Sequence, residues 1–256
     1  MTTEQRHALF IPTSQPEGAV CAHFESGGAS ICAATWSLQT LNAGPPRSSP
    51  EYDKHLGSTV GSSYDWSDEI RFDKQTGRLT SFILKTPEAG TVDPAVASSW
   101  LALPRHAGAL VLDDRDRGFH VDPLDLRCFA KENALVVTGA ALPRADDESL
   151  RLAIGGDVDL LFHRNRYAGW VLGTPLAHLV AAPGDKTPGR DEPTLHALLV
   201  EYLTLVVEPN IDRMSDEDPE MRTALEALRV RIHAMDAAQA RTLGTELTRV
   251  LETFYG

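Results

Sequence analysis

Glu69-Ile70-Arg71-Phe72 alternates apolar and charged side chains, and Asp73-Lys74-Gln75-Thr76-Gly77 is turn-forming. Arg78-Leu79-Thr80-Ser81-Phe82-Ile83-Leu84-Lys85 then alternates again. A period of two on both sides of a short polar link specifies a β-hairpin, because successive side chains of a strand point to opposite faces. Gly77 supplies a residue that enters positive φ without steric cost. The same pattern recurs downstream at Ala109–Leu112, Gly118–Val121, Leu126–Ala130, Ala134–Thr138, Leu150–Ile154, Val158–His163 and Tyr167–Leu172. Short links carrying Asp, Asn, Gly or Pro join these runs. Such spacing predicts an antiparallel meander, barrel-like or laid out as two small sheets.

The first hairpin has a look-alike. Arg78 to Pro87 aligns without gaps to Arg166 to Pro175, with Arg, Leu, Thr and Pro identical and Phe82 matched by Trp170. Each run follows a strand carrying Phe72 or Phe162 and a polar turn. We read two copies of one strand–turn–strand unit ending in Thr-Pro, with convergence of amphipathic strands as the alternative. A duplicated hairpin would make the space between the halves a natural cleft.

Upstream, Val20–Phe24 and Ile31–Leu41 have strand-like content. The breaker-rich stretch from Asn42 through Gly44, Pro45, Pro46 and Arg47 to Pro50 predicts a loop. Gly57–Ser63 predicts a second loop, and either would serve as a lid beside a pocket.

After the linker Pro183-Gly184-Asp185-Lys186-Thr187-Pro188-Gly189 the period changes to 3.6. Thr194–Val207 carries Leu195, Leu198, Leu199, Tyr202, Leu203 and Val206 on one apolar face. Asp218-Pro219 starts a second helix, with Asp as cap and Pro in the first turn. Asp236-Ala237-Ala238-Gln239 resembles a capping box that starts a third, lined by Leu243, Leu247, Val250, Leu251 and Phe254. The expected architecture is therefore α+β: a β-rich domain over 1–185, then three amphipathic helices over 191–256. Those helices would pack on the sheet or on a second copy, making a homodimer.

The 256 residues carry 24 Lys+Arg against 36 Asp+Glu, a net charge of −12, with 42% apolar residues. That is enough apolar chain for a core, and the acidity disfavours nucleic acid as a partner. Acidity concentrates in the tail: residues 191–256 hold 13 acidic and 6 basic residues, leaving the β-rich part only mildly acidic. The N-terminus lacks the apolar run of a signal peptide, and Leu195–Val207 is too short to cross a membrane. The expectation is a cytoplasmic chain without a membrane partner. Cys21, Cys32 and Cys128 are too few for a disulfide framework and read as buried thiols, with a Cys21–Cys32 pair as the alternative.

Catalytic signatures are scarce. The sequence has no Gly-x-Ser-x-Gly elbow, dinucleotide fingerprint, Walker loop, His-Glu-x-x-His helix or paired Cys-x-x-Cys. His120 and Asp122 stand two apart on an expected strand, where they would share a face as a base–orienter pair or as two metal ligands. A third ligand has no counterpart at metal-site spacing, and a turn at Asp122-Pro123 explains the pair as well. Gly155-Gly156-Asp157-Val158-Asp159 lacks the lysine of a phosphate loop and the spacing of a calcium loop. The better recognition elements are basic residues beside aromatics: Arg166, Tyr167 and Trp170 in the second hairpin, Arg78 in the first, and Trp66 in Tyr64-Asp65-Trp66-Ser67-Asp68. Paired Arg donors suit a carboxylate or phosphate.

These features point to a peptide- or small-molecule-binding accessory protein of a bacterial pathway, its ligand held by aromatic and arginine residues of the β-rich part. Two other classes fit the sequence: an enzyme of unfamiliar type acting through His120 and Asp122, and a protein-interaction or immunity-type factor using the helices. The sequence implies no particular cofactor.

Overall fold

The hairpin at 69–85 forms with its turn closed by Gly77 at φ +73°, and in its first strand the charged Glu69 and Arg71 are buried along with Ile70 and Phe72. The computed structural model describes residues 8–11, 20–26, 35–39, 42–44, 49–62, 67–88, 90–115, 119, 121–130, 133–140, 142–155, 157–181 and 192–256. Along the first half run β1 (Ala8–Ile11), β2 (Val20–Ser26), β3 (Thr35–Ser37), β4 (Asn42–Gly44), α1 (Ser49–Ser58), β5 (Thr59–Gly61), β6 (Glu69–Asp73), β7 (Leu79–Lys85), β8 (Gly90–Thr91) and α2 (Pro94–Leu101). The second half continues with β9 (Arg105–Leu112), β10 (Leu126–Ala130), β11 (Ala134–Thr138), β12 (Ser149–Gly155), β13 (Val158–His163) and β14 (Arg166–Gly173). A 3-10 turn (Pro175–His178) leads into β15 (Leu179–Val180). The helices α3 (Pro193–Leu205), α4 (Glu208–Ser215), α5 (Pro219–His233) and α6 (Ala238–Tyr255) complete the chain.

The fold is α+β, built on two mixed sheets. One has the order β15-β3-β4-β7-β6-β5; the other has β1-β2-β9-β12-β13-β14-β11-β10-β8. Among the described residues neither closes into a barrel. The outer strands β8 and β15 are two residues long, and β1 reaches β14 only at Phe10 and Arg166. Closure needs a continuous staggered ladder, which such short edges do not supply.

The two sheets share a plan. The orders β5-β6-β7-β4-β3-β15 and β12-β13-β14-β11-β10-β8 correspond strand by strand, with four antiparallel ladders followed by one parallel ladder in each. Their hairpins carry the same irregularity. Phe72 faces Leu79 and Arg71 faces Ser81, skipping Thr80; Phe162 faces Tyr167 and Leu161 faces Gly169, skipping Ala168. Each extra residue is a β-bulge, which bends its strand. The last strand of each plan comes from the other half of the chain. After Thr86-Pro87, β8 crosses to β10, and after Thr174-Pro175, β15 crosses to β3.

Between and beneath the sheets lies an apolar core containing Trp36, Phe72, Phe82, Phe162 and Trp170, which continues without a break into α3, α5 and α6. A second cluster, around Trp100 of α2, covers the opposite face of β10, β11, β13 and β14. This explains why every residue of β11 is buried: Leu135 and Val137 face one cluster, Ala134 and Val136 the other. A sheet covered on both faces reads as a continuous apolar run.

Five expectations need correction. Phe119 and Val121 lie outside any strand although both are buried, so apolar side chains here fill the core without joining a ladder. Residues 118 and 120 lie outside the described set. The stretch at 42–50 holds β4 and the start of α1 rather than one loop. Of the expected loop at 57–63, the described residues 57–62 form no lid, since the Arg71 guanidinium ties them down by donating to Thr59 Oγ1, Thr59 O, Ser62 O and the preceding Leu56 O. The C-terminal segment holds four helices, α4 being a two-turn element with only Met214 buried. Finally, α6 has no capping box: its cap is Ala237, without a side-chain bond, and Gln239 is buried. The Asp218 cap does form, accepting from the backbone of Glu220 and Met221.

Candidate functional site

Where β7 leaves its sheet, Lys85, Thr86, Pro87 and Glu88 run along one wall of a cleft of about 820 Å³. Pro123, Leu124 and Asp125 form a second wall just before β10. The helices close the third side with Tyr202, Val206, Glu208, Ile211, Arg249, Val250 and Phe254. Two bonds fix the frame. Trp36 Nε1 donates to Thr86 Oγ1 at 3.1 Å, and Glu208 N at the start of α4 donates to Glu88 O at 3.0 Å. The volume suits a small molecule or a few peptide residues. Its walls mix apolar side chains with three carboxylates (Glu88, Asp125, Glu208) and two cations (Lys85, Arg249).

Arg127 of β10 sits behind this wall with 3% of its surface exposed. Its Nη2 donates to Leu203 O at 2.7 Å and to Val206 O at 2.5 Å, satisfying carbonyls that the end of α3 leaves open. Nη1 is buried and has no hydrogen-bond partner among the described residues. Burial pushes the guanidinium pKa down, opposed by the nearby Glu88 carboxylate and Tyr202 hydroxyl.

A second polar group lies between the sheets. Asp68 is 1% exposed; its Oδ1 accepts from Lys85 N at 2.7 Å and its Oδ2 from the Tyr167 hydroxyl at 2.7 Å. Burial pushes its pKa up to about 6, against the pull of those two hydrogen bonds. Burial and the adjacent Asp68 together raise the Tyr167 pKa well above its ordinary value. Nearby, Tyr52 donates to the fully buried Glu69 carboxylate at 2.5 Å.

Among the described residues, the expected recognition residues do not assemble at one surface. Arg166 is exposed at the start of β14, next to the turn of the second hairpin, whereas Tyr167 and Trp170 of the same hairpin point into the core, Trp170 completely. Arg78 is half-buried and bridges to Val111, and neither residue belongs to the cleft walls. Trp66 and His120 lie outside the described residues, as do the Cys32 residue and the Cys21 side chain. Asp122 is exposed and shares a pocket of about 130 Å³ with Val121 and Tyr167. The acids of the glycine turn are engaged within the protein. Asp159 binds Arg105 at 2.7 Å and Arg151 at 2.6 Å, and Asp157 accepts from Thr174 and contacts His178.

One cluster has the composition of a hydrolase triad without its geometry. Ser149 Oγ and Asp146 both approach Nδ1 of His163, at 3.3 and 3.5 Å. A triad needs nucleophile and orienter on opposite ring nitrogens. Among the described residues no group of three His, Cys, Asp or Glu side chains is arranged to hold a metal ion.

Sequence reasoning passed over Arg127 and Asp68. Both carried a signal: a lone charge in the apolar run Leu126–Ala130, and the last acid of the aromatic–acidic stretch at 64–68. No known protein-family model matches this chain, and no curated protein matches it in sequence. No helix among the described residues is long and apolar enough to cross a membrane.

Proposed function

We propose that the chain is a binding protein for a peptide or small molecule, and that its ligand occupies the cleft between the strand ends and the C-terminal helices. The observation that carries this reading is the meeting of a cleft of about 820 Å³ with a buried guanidinium that keeps one nitrogen undonated. A buried cation without a matching carboxylate is costly to maintain, which makes it a marker of function. The ligand-binding role lies with Lys85–Glu88, Leu124 and the α3–α4 junction rather than with Trp170, whose side chain is enclosed. A cytoplasmic accessory role in a bacterial pathway, and pairing of two copies through the helices, belong to the same proposal. So does descent of the two sheets from one duplicated unit, supported by their matching strand orders and bulges.

The test is a screen of short peptides and small metabolites by thermal shift, with binders mapped by backbone amide NMR. Binders that move Thr86, Leu124, Val206 and Phe254 support the reading. Binders that instead map to the groove between α5 and α6, about 550 Å³ beside His233 and Gly244, overturn it.

A further inference from the structure

Arg127 performs a structural task with Nη2, bonding the carbonyls of Leu203 and Val206, while its buried Nη1 has no hydrogen-bond partner among the described residues. A guanidinium offers donors in a rigid plane that matches the two oxygens of a carboxylate. Among the described residues no carboxylate forms an ion pair with it. Its electrostatic neighbours Glu88 and Tyr202 both line the cleft, and so does Val206, to which it is bonded. The cation therefore stands one layer behind the wall, held by the negative end of α3.

We propose that Arg127 anchors a ligand carboxylate, and that the ligand is a short apolar peptide with a free C-terminus. The proposal rests on the binding reading above. Three features of the cleft select this chemistry. Leu38, Leu124, Ile211, Val250 and Phe254 offer apolar walls for the peptide side chains. Glu88, Asp125 and Glu208 outnumber Lys85 and Arg249, which repels a polyanion such as phosphate while favouring a terminal ammonium. The remaining donor of Arg127 then takes the single carboxylate. Entry goes through the α3–α4 junction. There Val206 ends α3 at φ −90°, ψ 75°, a non-helical break that the guanidinium itself contacts. On this proposal, an outward shift of the break is the route by which a ligand carboxylate reaches Nη1.

The experiment compares the tripeptide alanyl-leucyl-leucine with its C-terminal amide, using the full chain and reading affinity by calorimetry and location by amide NMR. Loss of a charge-assisted hydrogen bond predicts that the free acid binds at least about tenfold more tightly than the amide. The acidic walls alone would favour the cationic amide, so an acid preference cannot come from them. Cleft residues should shift with the acid, and Arg127→Gln should abolish the acid preference. The acid–amide comparison in the unaltered chain stands even where Arg127→Gln fails to fold. Equal binding of both peptides, or tighter binding of the amide, with shifts at the cleft, overturns the anchor and leaves the cleft reading in place. Absence of binding by both peptides at 20 mM (roughly the limit of weak millimolar affinity) overturns the peptide assignment, and the cleft reading is then judged by the wider screen.

Discussion

Replacing Asp68 by Asn removes a buried charge without removing its hydrogen-bonding shape. In the native protein Oδ1 accepts from Lys85 N and Oδ2 from Tyr167, both at 2.7 Å. The substituted side chain retains the first contact through its carbonyl oxygen; its amide nitrogen turns a donor toward the tyrosine oxygen. The electrostatic change follows from the raised pKa. An acid at about 6 in the folded state and 3.8 in the unfolded state is equally protonated in both at very low pH. As pH rises between these values the unfolded chain ionises first, so a penalty against folding accumulates and is complete above about pH 6. Two units at 1.36 kcal/mol each give about 3 kcal/mol at pH 7.5 and about 1 kcal/mol at pH 4.5. The altered tyrosine hydrogen bond costs the variant a roughly pH-independent amount, which cancels when the two conditions are compared. D68N should therefore gain about 2 kcal/mol more, relative to the native protein, at pH 7.5 than at pH 4.5. For a chain of this length that is about 4–8 °C in Tm. Urea midpoints and melting curves of both proteins at the two pH values measure it. A substitution effect that is the same at both pH values, or that is less favourable at pH 7.5, would refute the reasoning.

Asp159→Ala should destabilise the fold by about 3–5 kcal/mol, because it leaves the largely buried Arg151 without its carboxylate. Urea unfolding checks this, and a loss below about 1 kcal/mol would show that solvent already screens the pair. Gly169→Ala should cost about 3 kcal/mol or prevent folding, since φ is +156° and an added Cβ would stand 2.1 Å from Val137 O. Near-native unfolding of that variant by circular dichroism would show that β14 and β11 can separate without penalty.

The hairpins were legible because a period of two and a glycine at the turn are local signals. The start of α5 was legible for a similar reason, since the acid cap and the proline are adjacent at Asp218-Pro219. The same pair at Asp93-Pro94 starts α2, where Asp93 accepts from Ala95 N, but only two residues of that short helix are buried and its stripe is faint. Barrel against paired sheets was not legible, because the deciding strands β8 and β15 are two residues long and their ladders join distant parts of the chain. An aromatic in a strand signals core and ligand contact equally well, and for Trp170 only packing distinguishes them. At the cleft the charge of Arg127 was visible, while its partners Leu203 and Val206 lie 76 and 79 residues away. The bond between Asp68 and Tyr167 spans 99 residues. Local pattern carries no information about such pairings.

The crossing of β8 and β15 between the halves bears on how the protein is made. A ribosome releases the strands from β3 to β7 early, yet the sheet they form lacks its outer strand until residue 180 emerges. The first half must therefore wait with an open edge, and its partner sheet needs β8, already synthesised, to be held nearby. Long-range pairings of this kind slow folding and leave strand edges exposed to other chains. Synthesis rate over residues 90–180 should thus influence the yield of native protein more than the rate over the C-terminal helices, whose contacts with one another are closer in sequence.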